Sequence, residues 1–289
     1  MEQKWIVPPS ISGTDPMPRI EVNNPTTVPE RYAVHLSIRQ PHVVKPGTGA
    51  PYVDQKVPRK GNPGSCGGTL VGGTAVLTSA HCVIEWQEIG KNATTKDPVY
   101  AKVRAYSITA SPRRNGANKP YGEIAVKKSF WDSSLWPASF PFRHNRDSDY
   151  AVVRLVRAPA PVIPAAGPIT AASLRDVAVP GGMIIEFAHY PFGARRDDRM
   201  YHSEGFVGDV LSGFDNVYKH AASVEPGSSG SGVFEVGVDS VVGVIHAEVE
   251  ESPSFVRAPG QMKSGFPNRV LMLTPDTRAD ILAWTSAPL

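Results

Sequence analysis

The chain has 289 residues, 41% hydrophobic and 20% charged, which is typical of a globular protein of one or two domains. Thirty basic residues against 27 acidic ones give a net charge of +3, too small and too scattered to indicate nucleic-acid binding. No run of 18 apolar residues is present, which argues against a membrane-spanning helix, and the first five residues lack the apolar core of a signal peptide.

The first half of the chain has the pattern of a β-rich domain preceded by an arm. Residues 1–30 are proline-rich and predict an extended N-terminal arm, and residues 40–64 predict a surface loop. The 26 glycines and 28 prolines of the chain indicate many turns and many short strands. In residues 31–157 we expect strands at 32–38, in two runs within 67–83, and at 99–109, 122–128 and 150–156.

The second half repeats this pattern and ends differently. Residues 158–181 are rich in alanine and proline and predict a linker, and we assign residues 158–289 to a second β-rich domain. Its strands are expected at 183–188, 205–211, 232–236, 240–247 and 268–273. Only the end predicts a helix, because Thr274 and Pro275 form a good helix start. The apolar face of this helix is expected to consist of Ile281, Leu282 and Trp284.

Cys66 and Cys82 are the only two cysteines. They lie at the start and end of a pair of strand-like runs, a separation that a hairpin can close. A disulfide between them would indicate an oxidising compartment, and two buried thiols are the alternative. The sequence has neither a CxxC motif nor a cysteine and histidine cluster with zinc spacing, so we expect no metal.

Ser229 lies in the run Pro-Gly-Ser-Ser-Gly-Ser-Gly at residues 226–232. Flanking glycines allow a tight turn whose backbone amides point at one place, as a nucleophilic serine and its oxyanion require. A flexible glycine- and serine-rich turn is the alternative interpretation.

His81 directly follows a predicted buried strand, in the run Thr-Ser-Ala-His-Cys at residues 78–82. A strand end is where a general base would be presented, although a buried structural histidine is the alternative. The run resembles the Thr-Ala-Ala-His-Cys block of trypsin-like serine proteases. In that family the cysteine after the histidine is bonded to the one at the position of Cys66, so the resemblance implies a disulfide between Cys66 and Cys82.

A second run, Arg-Asp-Ser-Asp-Tyr-Ala-Val-Val-Arg-Leu at residues 146–155, resembles that family's Asp-hydrophobic-Ala-Leu-hydrophobic-Lys-Leu segment. The base needs a carboxylate at its other ring nitrogen to fix the tautomer. We favour Asp149 over Asp147 because the apolar run starts directly after Asp149. A solvated pair of aspartates at a turn is the alternative.

The order His81, Asp149, Ser229 is that of trypsin-like proteases. The resemblance implies an all-β fold of two six-stranded antiparallel β-barrels (chymotrypsin-like) with a C-terminal helix, the first barrel carrying the histidine and aspartate and the second the serine. It implies His81 as general base and then acid, Asp149 as its orienting partner and Ser229 as the acylated nucleophile. The amides of Gly227 and Ser229 would form the oxyanion hole.

Departures from the trypsin pattern indicate a branch of the family. Ser228 precedes the nucleophile, whereas trypsin-like zymogens have an aspartate there that pairs with a new N-terminus, and no Ile-Val-Gly-Gly start exists. The serine run itself is similar to that of the V8-type glutamyl endopeptidases. Residues 189–191, 200–207 and 242–246 also resemble segments of that branch.

The resemblance suggests residues for primary specificity without deciding it. In the V8-type branch the histidine at the position of His246 helps bind the glutamate carboxylate of the substrate. A strand histidine hydrogen-bonded next to Asp149 is the alternative role for His246. Val224 stands where that branch has a threonine hydroxyl, for which Ser223 could substitute.

Two further residues bear on the pocket. Glu248, if it lines the pocket, would repel an acidic side chain and favour a basic or small one, and Gly265 would leave the far wall open. The preference for acidic, basic or small residues therefore stays open at this point.

The sequence thus predicts a serine endopeptidase that works through an acyl-enzyme on protein or peptide substrates, without cofactor or metal. We expect a secreted or extracellular monomer that binds neither nucleic acid nor membrane. The first rival is an inactive protein of the same fold that binds peptides in its cleft. The second is an α/β-hydrolase esterase, but that fold orders its triad Ser, Asp, His and uses GxSxG, which residues 227–231 do not match.

Overall fold

The computed structural model describes residues 20–39, 63–91, 94, 96, 98–127, 148–160, 173–176, 182–191, 198–211, 213–225, 227–247 and 268–286. The strands of the first part are β1 (Ile20–Glu21), β2 (Ala33–Arg39), β3 (Gly64–Leu70), β4 (Ala75–Thr78), β5 (Ile84–Lys91), β6 (Pro98–Arg104), β7 (Ser107–Pro112), β8 (Ile124–Ala125) and β9 (Ala151–Arg154). The second part adds β10 (Ser173–Leu174), β11 (Ile184–His189), β12 (Tyr201–Val210), β13 (Val217–His220), β14 (Gly232–Glu235), β15 (Ser240–Ala247) and β16 (Asn268–Met272). Two α-helices, α1 (Ala80–Val83) and α2 (Pro275–Ser286), and a 3-10 helix (Glu30–Tyr32) complete these ranges.

Six strands form the first barrel in the order β8-β7-β2-β3-β4-β9, each antiparallel to its neighbours. Its two edges are joined just beyond β8 and β9, where Val126 and Leu155 form a bridge. The Lys127 amide donates to Arg154 O at 2.7 Å and the Val156 amide donates to Ala125 O at 3.0 Å. These bonds close the sheet around a buried aliphatic core that includes Leu36, Val76 and Ile108.

The second barrel is a closed ring of six strands in the order β12-β11-β14-β15-β16-β13, because β13 also pairs with β12. Its interior is filled by apolar side chains such as Phe187, Val233 and Met272. Two six-stranded antiparallel barrels and a C-terminal helix are the predicted fold, which is confirmed. Outside the ring, β1 pairs with β12 and β10 lies parallel to β15.

The two barrels share a buried apolar layer to which both contribute. Leu77 of the first barrel and Phe234 of the second belong to it, and the ring of Tyr32 stacks on Phe234 with centroids 5.8 Å apart. Helix α2 seals this layer with Ile281 and with Trp284, which stacks on Tyr150. A close-packed apolar layer of this kind fixes the position of one barrel against the other.

The structure corrects three details of the predicted elements. Leu282 is 40% exposed and does not belong to the buried face of α2. The strand expected at 99–109 is two strands, β6 and β7, because the chain bends between Arg104 and Ser107. Residues 20 and 21 of the predicted arm form a strand against β12. Among the described helices, none has the length and apolar character needed to cross a membrane.

Candidate active site

The register of β4 and β9 brings His81 and Asp149 together. The strands are antiparallel with Thr78 opposite Ala151, so β4 ends where β9 begins. His81 lies three residues after this pair on one chain segment, and Asp149 lies two residues before it on the other. Two positions separated by 68 residues in sequence therefore meet at one edge of the first barrel.

Asp149 holds His81 by two hydrogen bonds. The His81 backbone amide donates to Asp149 Oδ1 at 2.9 Å, and His81 Nδ1 donates to Oδ2 at 2.7 Å. The carboxylate is fully buried, whereas the His81 side chain is 37% exposed. This arrangement fixes the ring orientation and places the proton on Nδ1, so that the lone pair is on Nε2.

His246, near the end of β15, approaches the same carboxylate from the second barrel. Its Nδ1 hydrogen-bonds Asp149 Oδ2, and its ring lies edge-on to that of His81 with centroids 6.0 Å apart. The residue is only 8% exposed. The second of the two roles considered for His246, a histidine hydrogen-bonded to Asp149, is the one that this geometry matches.

The electrostatics of the pair favour an ionised carboxylate. Burial alone would raise the pKa of Asp149, but the charges of His81 and His246 and their hydrogen bonds outweigh it and hold the pKa far below its usual range. Burial alone would lower the pKa of His81, yet the charge and hydrogen bond of Asp149 raise it above its usual value. A base of raised pKa beside a permanent carboxylate is suited to accept a proton during a reaction.

The turn that carries Ser229 is bound to both barrels through its backbone. The Gly67 amide donates to Ser229 O at 2.8 Å, and the Gly230 amide donates to Ile245 O at 2.8 Å. Ile245 precedes His246, and Gly67 follows Cys66. The Ser229 turn therefore lies against β3, which carries Cys66, and against β15, which carries His246, and Ser229 itself is half-buried.

Two glycines give the turn its shape. Gly227 has φ of +98° and Gly230 has φ of +85°, backbone angles that residues with a side chain rarely adopt. A Cβ atom on Gly230 would lie 2.2 Å from Thr78 Oγ1 and 2.5 Å from Gly67 O. Gly227 is thus favoured by its backbone conformation, and Gly230 by its conformation and by close packing, which is a specific reason for the glycines of this turn.

Two polar residues that were not among the predicted site residues hold the His81 segment in place. Thr78 Oγ1 donates to Gly67 O at 2.8 Å, and Ser79 Oγ donates to Ile245 O at 2.9 Å. Both side chains are fully buried. Their position between a buried strand and a candidate base was the available signal, since buried hydroxyls need partners.

A disulfide joins Cys66 and Cys82, with Cα atoms 6.2 Å apart, as the resemblance implies. It links β3 to α1, the single helical turn that carries His81. The covalent link therefore limits movement of His81 relative to Gly67, the residue that binds the Ser229 turn.

Of the four remaining predicted substrate-binding residues, two lie in the described part of the chain and two lie outside it. Ser223 and Val224 lie in the segment before the turn and are 4% and 8% exposed. Val224 packs with the apolar core of the second barrel. Glu248 and Gly265, together with Asp147, the competing choice for the carboxylate, lie outside the described residues.

The side chains of His81, Asp149 and His246 also have the composition of a metal site. His81, Asp149 and His246 offer ligand atoms that all lie within 4.8 Å of one another. Two ligands of one tetrahedral zinc ion, each at ~2.1 Å, are about 3.4 Å apart. The 2.7 Å between His81 Nδ1 and Asp149 Oδ2 is shorter and is the length of a charge-assisted hydrogen bond. The geometry therefore favours a shared proton over a shared metal ion.

Fold and site together define a two-barrel β-protein with a histidine and carboxylate pair beside a glycine-framed serine turn. Residues 66–244 match the family model described as a trypsin-like peptidase domain, and the chain belongs to that family. The family assignment supports a peptidase and agrees with the resemblance found in the sequence.

One curated relative, the extracellular metalloprotease of Bacillus subtilis (strain 168), is 30% identical over 152 residues. The match covers 53% of this chain and 36% of the relative, so the chain spans about a third of that protein's length.

Solved structures show the shared fold at low sequence identity. A Glu endopeptidase in complex with MPD has a TM-score of 0.61 at 16% identity, covering 93% of this chain and 97% of that one. The thermostable serine protease AL20 from an extremophilic microorganism has a TM-score of 0.56 at 12% identity, covering 89% and 98%. The scabies mite inactivated protease paralogue S-D1 has a TM-score of 0.52 at 13% identity, covering 90% and 95%.

Proposed function

We propose that this protein is a serine endopeptidase in which Ser229, His81 and Asp149 form a catalytic triad. The observation that carries the proposal is the hydrogen-bonded pair of Asp149 and His81, next to which the Ser229 turn is held by the Gly67 amide. A base with a fixed tautomer and a serine on a rigid turn are the two parts that acyl transfer requires.

Acylation begins when Ser229 Oγ attacks the carbonyl carbon of the scissile peptide bond. His81 Nε2 takes the hydroxyl proton, and the resulting imidazolium is stabilised by Asp149, whose lowered pKa keeps it ionised throughout. The amides of Gly227 and Ser229 donate hydrogen bonds to the oxyanion of the tetrahedral intermediate. Removing one such donor in related chemistry costs about 3 kcal/mol of transition-state stabilisation.

Collapse of the intermediate breaks the carbon–nitrogen bond, and His81 gives its proton to the leaving amine. Deacylation repeats the sequence with water as the nucleophile: His81 Nε2 takes a proton from water, the hydroxide attacks the acyl carbon, and Ser229 Oγ recovers the proton as it leaves. The enzyme is regenerated without any change in oxidation state and without a cofactor.

Several features support the V8-like branch. The sequence segments around Ser229, His189 and Val242 resemble that branch, and a Glu endopeptidase is among the solved structures of the same fold. In this proposal His246 acts on Asp149 rather than on substrate. The substrate pocket includes the segment of Ser223 and Val224, with Glu248 and Gly265 as further lining residues.

We further assign the chain to three parts: an arm at 1–30, a first barrel at 31–157 and a second barrel at 158–289. The disulfide and the extracellular curated relative support a secreted or extracellular location, and we keep the monomer as part of the proposal. Its substrates are proteins or peptides, in keeping with the peptidase family.

A fluorophosphonate probe tests the proposal directly, because it reacts covalently with an activated serine. We expect one label, mapped by mass spectrometry to Ser229, which is lost in Ser229→Ala and in His81→Ala. Ser173→Ala, which removes an exposed hydroxyl on β10, is the matched control and should label fully. Folded wild-type protein that takes up no label would instead support the inactive peptide-binding protein, since an inactivated protease paralogue shares this fold.

Cleavage of a peptide library measures the specificity that the proposal leaves open. A preference for an acidic P1 residue would assign carboxylate recognition to this pocket as in the V8-type branch. A preference for basic or small P1 residues would point to Glu248 as a pocket residue.

A further inference from the structure

A buried histidine of the second barrel contacts the residue that precedes Ser229. His189 is the last residue of β11 and is fully buried, and its Nδ1 lies 2.5 Å from Ser228 Oγ. Its other ring nitrogen, Nε2, lies 3.0 Å from Ser203 Oγ on the neighbouring strand β12. Ser228 and Ser203 are each 1% exposed, so the whole chain of hydrogen bonds is shielded from water.

The hydroxyl of Ser228 also closes the turn at its other end. The Glu225 amide donates to Ser228 Oγ at 3.1 Å, while the Ser228 amide donates back to Glu225 O at 2.9 Å. Because Ser228 Oγ accepts from Glu225, its own proton is available for His189 Nδ1. In that tautomer His189 Nε2 donates to Ser203 Oγ, and both ring nitrogens have a partner.

The contacts of the Ser228 side chain matter because of where Ser228 lies in the turn. Ser228 lies between Gly227 and Ser229, the two residues whose amides are proposed to bind the oxyanion. The peptide unit between Ser228 and Ser229 carries the Ser229 amide, so a rotation of that unit about the Ser228 backbone would redirect this amide. The Ser231 amide, which donates to Ser228 O at 3.2 Å, is a further restraint on the same residue.

We infer that His189 is a positioning residue that sets the direction of the oxyanion-binding amide of Ser229 by holding the side chain of Ser228. The inference rests on the proposed function, since it requires that the turn bind an oxyanion. In this role His189 touches neither substrate nor reacting atoms and acts only through Ser228. A partner inside the second barrel thus occupies the role for which trypsin-like zymogens use an aspartate and a new N-terminus.

The ring of His189 is held in turn by its aromatic neighbours. It packs edge-on against Phe187, with centroids 5.1 Å apart, and against Tyr201 at 6.4 Å. These two contacts leave the imidazole little freedom to rotate. A rigid ring is what a positioning role requires, since a mobile partner would transmit no orientation to Ser228.

Two substitutions of His189 separate its two contacts. In His189→Asn the side-chain amide stands where Nδ1 was and keeps a polar atom toward Ser228. In His189→Gln the amide stands where Nε2 was and keeps a polar atom toward Ser203 only. Both variants remove an aromatic ring from the same buried place, so their losses of stability should be similar.

The test measures kcat and KM on one peptide substrate, the rate of fluorophosphonate labelling and the melting temperature. We expect Ser228→Ala and His189→Gln to lower kcat and the labelling rate by about 10- to 100-fold with KM within about threefold, because oxyanion contacts form only in the transition state. His189→Asn should retain at least about fivefold more kcat than His189→Gln. Ser111→Ala, which removes a hydroxyl buried to the same extent on β7, should lower the melting temperature but keep kcat.

Each outcome has a distinct meaning. If wild-type Ser229 is labelled and turns over substrate while Ser228→Ala and His189→Gln keep wild-type kcat, the positioning role is wrong and the proposed function stands. Equal losses of kcat in His189→Asn and His189→Gln, in proportion to their melting temperatures, would also overturn it in favour of a purely structural histidine. If folded wild-type protein neither labels nor turns over, both the proposed function and this inference are wrong.

Discussion

Replacing Gly230 by alanine tests how tightly the Ser229 turn is held between the two barrels. The new Cβ atom would lie 2.5 Å from Gly67 O and 2.9 Å from Ser79 N, besides 2.2 Å from Thr78 Oγ1. Two of these three atoms belong to the backbone, so no side-chain rotation removes the overlap. Ordinary contacts begin near 3.4 Å, and the turn and β3 must therefore separate by about 1 Å.

This displacement converts into a measurable loss of rate. Ser229 is the adjacent residue and must move with Gly230, and a misplacement of about 1 Å typically costs about 10²-fold in rate. That factor corresponds to about 2.7 kcal/mol of activation free energy. Because Gly230 has φ of +85°, alanine there also carries a backbone strain of about 1–2 kcal/mol, which lowers stability.

Gly213 offers a matched control for the strain. It has the same φ of +85°, but a Cβ atom there would meet nothing within 4 Å. We expect Gly213→Ala to lose stability with wild-type kcat, and Gly230→Ala to lose about 10²-fold in kcat as well. Both are measured by peptide hydrolysis at a temperature where circular dichroism shows folded protein. A Gly230→Ala enzyme with kcat indistinguishable from that of Gly213→Ala would refute the reasoning.

Three more predictions concern the carboxylate, the disulfide and the N-terminal contact. Asp149→Asn should lower kcat by about 10⁴-fold with little change in KM, since an amide does not enforce the correct tautomer of the base. Reducing the bond between Cys66 and Cys82 should lower the melting temperature by about 6–12 °C, because a loop of this length is worth roughly 3 kcal/mol. Glu30 Oε1 accepts from His202 Nδ1 at 2.8 Å, so the contribution of this pair to the free energy of unfolding should be greatest between about pH 4.5 and 6.5 and fall on either side.

The sign of that pH dependence follows from the two pKa shifts. Burial would raise the pKa of Glu30, but hydrogen bonds from His202, a backbone amide and Thr27, together with the charge of His202, outweigh it and lower the pKa, so this contribution is lost as the pH falls through the folded value. Burial would lower the pKa of His202, but Glu30 raises it, so this contribution is lost as the pH rises through the folded value. Glu186, 3.7 Å from His202, has a pKa raised by burial, so its contribution is present below about pH 4.5 and is lost as the pH rises through its folded value.

Each grouped prediction has a contrary result that is easy to recognise. Wild-type kcat in Asp149→Asn would remove the carboxylate from the proposed triad. An unchanged melting temperature after verified loss of the disulfide would show that the bond adds nothing to stability. In His202→Gln the decline of stability above about pH 6.5 should shrink, and an unaltered pH profile would assign the decline to other groups.

Short sequence patterns predicted many of the strands and the helix, including the strands next to the candidate site. The strand before His81, the strand after Asp149 and the helix after Thr274 were predicted from short runs, because apolar patterns and helix starts depend on adjacent residues. The disulfide was open from spacing alone and followed from the family resemblance. The division of residues 98–112 into two strands was missed, since a bend without a glycine or proline leaves no local mark.

The contact between His189 and Ser228 is one that short sequence patterns did not predict. The alternation of His189 with Ile185 and Phe187 was enough to place it on the inner face of β11, but in the sequence it stood out only as part of a motif. That its ring meets Ser228, 39 residues later, depends on the pairing of β11 with β14 and on how the turn folds back.

The sequence by itself determined two things: which reactive residue types the chain contains, and which strands and turns hold those residues. Only the tertiary structure decided that Asp149 accepts hydrogen bonds from both His81 and His246, and that the Ser229 turn docks on Gly67. The physical reason is that these contacts join separate strands of two closed barrels. Their geometry is set by barrel register and by the apolar layer between the barrels, which no short stretch of residues encodes.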